Sequence, residues 1–132
     1  AMAIGIAEAA LAAAVAYAKS RRVGAGMVAD FQGIQWMLAD MACDLAAARA
    51  VAAEATALRT AGQPFSVQSA MAKLIASEMA GRVTDKALQV HGGYGFTRDL
   101  PLERYVRDAR ILRIYEGSSE VQRNIIARAL LG

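Results

Sequence analysis

From Phe31 to about Thr60, the residues Ile34, Leu38, Met41, Leu45, Ala48, Ala52 and Ala55 recur at alternating steps of four and three. That is the period of one side of an α-helix lying on another helix, and the alanine end of the seam permits close approach. Gly62-Gln63-Pro64 ends the pattern: glycine suits a left-handed C-terminal position and proline cannot continue a helix. Ser66 reads as the cap of a second long helix running to about His91. Its inner face is Val67, Met71, Leu74, Ile75, Met79, Val83, Ala87 and Val90, with Lys73, Ser77, Arg82 and Lys86 largely outside. Ahead of both, residues 1–22 form a helix of Ala, Ile, Leu and Val relieved by Glu8 and Lys19. Val23-Gly24-Ala25-Gly26 links it to the Phe31 helix, although the alanines and methionine around it would let it stay partly helical. Gly92-Gly93-Tyr94-Gly95 reads as a loop, Pro101 opens a short helix to about Arg110, and Ser118 opens the last, to about Leu130. No segment has the period-2 alternation of a sheet. The expected fold class is all-α: an up-and-down four-helix bundle with an additional short helix, because helices that are apolar on one stripe and joined by short loops must bury those stripes together.

Composition adds limits. At 132 residues the chain has the length of one domain with a core of its own. Hydrophobic residues make up 56% and the mean hydropathy is +0.28, yet charges such as Lys19, Asp30, Asp40, Asp44 and Lys73 interrupt every long run, so no segment reads as a membrane span. The start, Ala1-Met2-Ala3-Ile4-Gly5, has no targeting pattern and no N-cap residue, as though the first helix were cut into. The single cysteine, Cys43, excludes an internal disulfide and a cysteine metal cluster and reads as helix packing. A net charge of +3 raises nucleic acid as a partner. However, the tail arginines are interleaved with Asp99, Glu103 and Asp108, with i,i+4 pairs Glu103/Arg107 and Arg104/Asp108, which describes a salt-bridged face and no phosphate-tracking stripe. The expectation is therefore no nucleic acid and no membrane. The six methionines read as core filler, and Trp36 as an edge-of-core or interface aromatic.

Few residues here can carry chemistry. Glu116, in Tyr115-Glu116-Gly117-Ser118, lies between a helical stretch and a new helix start. Ile114 and Tyr115 offer a poorly hydrated wall that would strengthen a carboxylate as a proton acceptor, Gly117 lets the backbone bend, and Ser118 caps the helix carrying Glu120, Val121 and Ile125. The same residues equally describe a solvated helix end. Gly92 and Gly93 are either a helix C-cap or a place where backbone N–H groups approach a phosphate or cofactor; following a helix and no strand, they are neither a Rossmann nor a P-loop motif. His91, the one histidine, suits a hydrogen bond to a terminal carbonyl, and with no partner ligand a metal site is not expected.

Taken in order, Ala87-Leu88-Gln89-Val90-His91-Gly92-Gly93-Tyr94-Gly95-Phe96, then Glu103-Arg104 and Arg107-Asp108-Ala109, then Ile114-Tyr115-Glu116-Gly117-Ser118-Ser119-Glu120-Val121-Gln122-Arg123, closely resemble the C-terminal domain of the acyl-CoA dehydrogenases. Tyr17, Arg21, Gln32 and Leu38-Ala39-Asp40-Met41 fall in that family's order and spacing. The resemblance implies that residues 1–132 are the C-terminal helical bundle of a flavoenzyme, with an N-terminal helical domain and a middle β domain upstream of Ala1. It implies FAD as cofactor and an acyl-CoA substrate whose α-proton a carboxylate removes while the β-hydride passes to the flavin, leaving a trans-2-enoyl-CoA. A homotetramer built as a dimer of dimers follows, with an electron-transfer flavoprotein as acceptor, in the cytoplasm of a bacterium or the mitochondrial matrix of a eukaryote.

Residue by residue, Glu116 matches the family's base, and Tyr115 and Gly117 match residues lining the acyl chain and thioester. Gln89, Gly92 and Gly93 match the strip touching the FAD of a neighbouring subunit, and Arg21 matches the arginine reaching that cofactor's pyrophosphate. Gln32 matches a further flavin contact, and Ser118 and Glu120 match positions near FAD at the start of the last helix. One departure is Gly24-Ala25, where the family commonly has Phe-Gly, so an apolar wall of the FAD site must be missing or supplied otherwise. Two other readings stand beside this one: an acyl-CoA oxidase, which returns its electrons to oxygen, and a helical oligomerisation module with no activity of its own.

Overall fold

The computed structural model describes all 132 residues. Six helices make up the chain: α1 (Met2–Ser20), α2 (Gln32–Thr60), α3 (Ser66–His91), the one-turn α4 (Gly93–Phe96), α5 (Leu102–Ile111) and α6 (Ser119–Leu131). The four long helices form the up-and-down bundle, with α5 as the additional short helix. Helix α3 is the hub and packs on α1, α2, α5 and α6. The core is a single cluster containing Met41, Leu45, Met79, Val83, Val90, Leu102 and Leu112 among many alanines.

The seam on α2 holds: Met41, Leu45, Ala48 and Ala55 are buried, and Ile34, Leu38 and Ala52 half-buried. Helix α1 presents an inner stripe made wholly of alanine (Ala3, Ala7, Ala10, Ala14 and Ala18). Small side chains let its axis lie close to its neighbours. By length and by a mean hydropathy of 1.4 over its apolar window, α1 would qualify as a membrane span, contrary to the expectation that no segment does. Packing accounts for its composition: the alanine stripe is shut against α3 and α2, and half-buried Ile4, Ile6 and Leu11 pack on the same core.

Helix α3 departs most from expectation. Its Ser77 and Thr84, at 2% and 0% exposure, are buried, and their hydroxyls return to the carbonyls of Leu74 and Ala80. A helix with neighbours on four sides has little outer face. Ser66 is also not its cap: Phe65 takes that position with no side-chain hydrogen bond, and Ser66 is the first helical residue. Ser118 does cap α6, its hydroxyl accepting from the N–H of Val121.

The link after α1 is not helical. Arg22–Val23 (β1) and Gly26–Met27 (β2) form a minimal antiparallel hairpin, followed by a 3-10 turn at Val28–Asp30. Gly24 has φ +60, the left-handed geometry that the first central residue of a two-residue hairpin turn requires. The Gly24-Ala25 departure is thus the turn itself. The glycine-rich segment after α3 is likewise no loop, because Gly92 (φ +59) reverses the chain and α4 begins at once.

Several surface expectations also change. Cys43 is exposed, Trp36 is 63% exposed and so not at the core's edge, and of the six methionines Met41 and Met79 are fully buried while Met2 is exposed. Neither the Glu103/Arg107 nor the Arg104/Asp108 pair forms. The ion pairs instead join different elements: Asp44–Arg82 (2.9 Å) and Asp40–Lys86 (2.6 Å) tie α2 to α3, and Glu8–Arg49 ties α1 to α2.

Candidate active site

All the candidate site residues named above except Gln32 and Gly117 line one of three depressions. Arg21, Gln89, Gly92 and Gly93 line one cavity of about 780 Å³, where the end of α1, the hairpin, the start of α2, the end of α3 and α4 meet. Helix α1 stops at Arg21, whose backbone turns extended and whose carbonyl accepts from the N–H of Val28 (2.9 Å). The Arg21 guanidinium takes part in no ion pair and lies 5.1 Å from the centre of the Tyr94 ring, within cation–π range. His91, buried at 5% exposure, donates from Nδ1 to the carbonyl of Ala87 (2.8 Å) and stacks on Tyr17 with ring centres 4.3 Å apart. That is the terminal-carbonyl role expected of it. A Cβ added at Gly92 or Gly93 would meet nothing within 4 Å, so both glycines border open space. Val23 and Phe31 supply apolar wall to this cavity. Gln32 does not line this cavity, although its neighbours Phe31 and Gly33 do.

Glu116 and Tyr115 line a second cavity, of about 350 Å³, whose walls are mostly apolar and include Met2, Ile4, Ala55, Ala76 and Leu112. Tyr115 donates its hydroxyl to Met2 Sδ (3.4 Å). Glu116 is the one non-glycine residue with positive φ, at +51, and Gly117 follows at +86. A left-handed side-chain-bearing residue costs about 1–2 kcal/mol, so the turn has to be held. At its neck the N–H of Ser119 donates to the carbonyl of Arg113 (3.0 Å). There Glu78 on α3 accepts from the Ser119 hydroxyl (2.7 Å) and from Arg113 Nη1 (3.2 Å). At its tip the Gly117 carbonyl accepts from Gln122 Nε2 (3.1 Å) and from Lys73 Nζ. The Glu116 carboxylate itself is exposed, so Ile114 and Tyr115 do not enclose it as the local sequence suggested.

Ser118 and Glu120 border a third, smaller depression with Glu78, Arg110 and Arg113. The Glu120 carboxyl sits below its usual range, chiefly through a hydrogen bond from Ser118 and then through backbone N–H at the helix start. Glu78 is also held low. Burial pushes its carboxyl up, but the hydrogen bonds from Ser119 and Arg113 and the charges of Arg113 and Arg123 outweigh that.

Sequence reasoning missed Lys73, Glu78 and Arg113, the residues that staple the Glu116 turn to α3. Lys73 was placed outside by helical phase, yet it is half-buried and turned to Gly117. The nearest signal was Gly81: a Cβ there would lie 3.0 Å from Arg113 Nη2, so glycine leaves the guanidinium its bed on α3.

Comparison with known proteins places these features in context. The sequence profile described as acyl-CoA dehydrogenase, C-terminal domain, matches residues 1–131. The chain is 53% identical over 131 residues to the acryloyl-CoA reductase (NADH) of Anaerotignum propionicum, covering 99% of this chain and 33% of that protein. It superposes on butyryl-CoA dehydrogenase from Megasphaera elsdenii with a TM-score of 0.97 at 46% identity, over 98% of this chain and 34% of that one. On the FAD complex of PigA the TM-score is 0.94 at 30% identity, over 97% and 33%. The chain spans about a third of the length of the curated relatives it matches.

Proposed function

The chain belongs to the acyl-CoA dehydrogenase family, matching its C-terminal domain, and from that premise we propose that it supplies the base and part of the cofactor site of an FAD-dependent enzyme interconverting acyl-CoA and trans-2-enoyl-CoA. The observation that carries this is Glu116: a carboxylate held in the left-handed region at the rim of an apolar cavity. Such strain is kept where a side chain must be aimed.

FAD, when bound, supplies the hydride acceptor that no side chain provides. The residues fit such a group. Arg21 is an unpaired cation beside Tyr94 in the larger cavity, and Gly92 and Gly93 border it without side chains that would obstruct a close approach. Arg21, Gln89, Gly92 and Gly93 would hold a diphosphate and its flanking groups there, with Gln32 at the edge. Ser118 and Glu120 lie in a different depression, which supports one chain touching two cofactor molecules, as a homo-oligomer with shared cofactors requires.

Glu116 removes the α-proton of the thioester, or returns it in the reductive direction, while Tyr115 and Gly117 shape the space for the acyl chain. Enclosure of the carboxylate, which strengthens a base, comes from substrate and from domains outside these 132 residues, an N-terminal helical domain and a middle β domain. The 132 residues alone are accordingly inactive. An electron-transfer flavoprotein is the acceptor proposed for the complete enzyme. Replacing Glu116 by Gln in the complete enzyme slows flavin reduction by an acyl-CoA by roughly a thousandfold while the flavin spectrum shows FAD still bound. Reduction at the wild-type rate would remove Glu116 as the base.

A further inference from the structure

We propose that Lys73 is a positioning residue for the base: by donating to the Gly117 carbonyl it holds the Glu116 turn in its left-handed conformation, with the carboxylate at the cavity rim. The inference rests on the reading of Glu116 as the base.

Two consecutive residues with positive φ, the first of them not glycine, do not support themselves. The contacts at Ser119 and Glu78 close the neck of the turn and leave the peptide after Gly117 to be fixed separately. That peptide's carbonyl, on Gly117, has two donors, and they differ. Gln122 lies five residues on and belongs to α6, the helix into which the turn leads. Lys73 comes from α3, so it alone references the turn tip to the central helix.

Lys73 is also more than a strut. Half-buried, it enters no ion pair and lines the same cavity as Glu116 and Tyr115. A lysine taken partly out of water without a carboxylate partner is disfavoured unless its donors are used. Here the acceptor is the carbonyl next to the base. Loss of that contact frees the turn to relax toward ordinary backbone geometry, which moves the carboxylate while leaving the cavity walls in place.

The test compares Lys73→Met, which keeps the apolar stem and removes the donor, with Lys73→Arg, which keeps charge and donors. Both are made in the complete FAD-loaded enzyme and read by rapid flavin reduction and by acyl-CoA affinity. A misplaced catalytic group costs on the order of a hundredfold, so Lys73→Met is expected to slow reduction by about that factor with substrate affinity unchanged, and Lys73→Arg to restore most of the rate. Wild-type speed in Lys73→Met overturns the proposal. So does a loss confined to affinity, or equal slowing in both variants. Should Lys73→Met not fold with FAD, Lys73→Leu, which also removes the donor and keeps an apolar side chain, is read by the same criteria. Glu116→Gln is measured alongside. If it still reduces its flavin, the base assignment has failed; if it is inactive while Lys73→Met is unaffected, only the role of Lys73 has.

Discussion

Replacing Gly95 by alanine separates packing from ligand access at the larger cavity. Gly95 is buried in α4, and its φ is not positive, so alanine there suffers no backbone strain and any effect comes from contact. The added Cβ would lie 2.6 Å from the carbonyl oxygen of Leu88, 3.0 Å from His91 Cβ and 3.2 Å from Leu88 Cα. Two of those atoms are main chain of α3 and cannot rotate away, so α4 must retreat by about 0.8 Å to reach an ordinary 3.4 Å contact. Overpacking of this kind costs roughly 1–3 kcal/mol. The retreat shifts Tyr94 relative to Arg21, and the added methyl crowds His91, which lines the cavity together with Tyr17. Gly95→Ala should therefore lower the urea midpoint of the 132-residue chain, followed by far-ultraviolet circular dichroism, and also reduce the FAD content of the complete enzyme. Gly93→Ala is the control. Its Cβ meets nothing within 4 Å and its φ is not positive, so stability should hold or rise by up to about 1 kcal/mol, while the methyl group intrudes where the cofactor would lie and FAD content falls. An unchanged midpoint for Gly95→Ala, or equal destabilisation by Gly93→Ala, would refute the reasoning.

Two further outcomes follow from the bundle. Ala14→Leu forces a larger side chain into a fully buried slot on the alanine stripe of α1; it should cost about 1–3 kcal/mol, whereas Ala12→Leu, on the exposed side of the same helix, should leave the urea midpoint nearly unmoved. Acid should loosen the α3 staples. Asp44 is held below its ordinary 3.8, first by the hydrogen bond from Arg82, and Glu78 below its ordinary 4.5 by Ser119 and Arg113 against the upward push of burial. A carboxyl depressed on folding contributes stability that is present above its ordinary value and lost as pH falls through the lower folded one. The midpoint should thus fall below about pH 4.5, and less steeply in Glu78→Gln; equal pH slopes in the two proteins would exclude Glu78 as a contributor.

The periodicity of the chain and its capping residues revealed α1, α2, α3, α5 and α6, though not the one-turn α4, and the core seam of α2 was plain because that helix shows one side to the bundle and the other to solvent. Gly24 could not be read as the turn of a hairpin, since two strands of two residues leave no alternation to detect. Glu116, Gly92 and Gly93 stood out locally with a bland reading beside each, while Arg21 and Gln89 became candidates only through the family's motifs. Nothing in the local sequence distinguished a functional carboxylate from a solvated one. What marks Glu116 is a dihedral angle, and that angle depends on contacts from residues more than thirty positions away.

Helix α3 shows why those distant contacts escaped. A pattern of apolar residues assigns an inside and an outside, and the assignment loses meaning once a helix has neighbours on four sides. The polar groups of such a helix that are held either bond its own backbone, as Ser77 and Thr84 do, or reach a different element, as Lys73, Glu78, Arg82 and Lys86 do. The second set joins α2 on one side and the Glu116 turn on the other. The residues that helical phase would dismiss as a solvated face are therefore the ones that set where the central helix stands relative to the Glu116 turn, and the end of that same helix borders the cavity proposed for the cofactor. A change that rotated α3 would disturb both places together, which independent loops on a rigid scaffold would not allow.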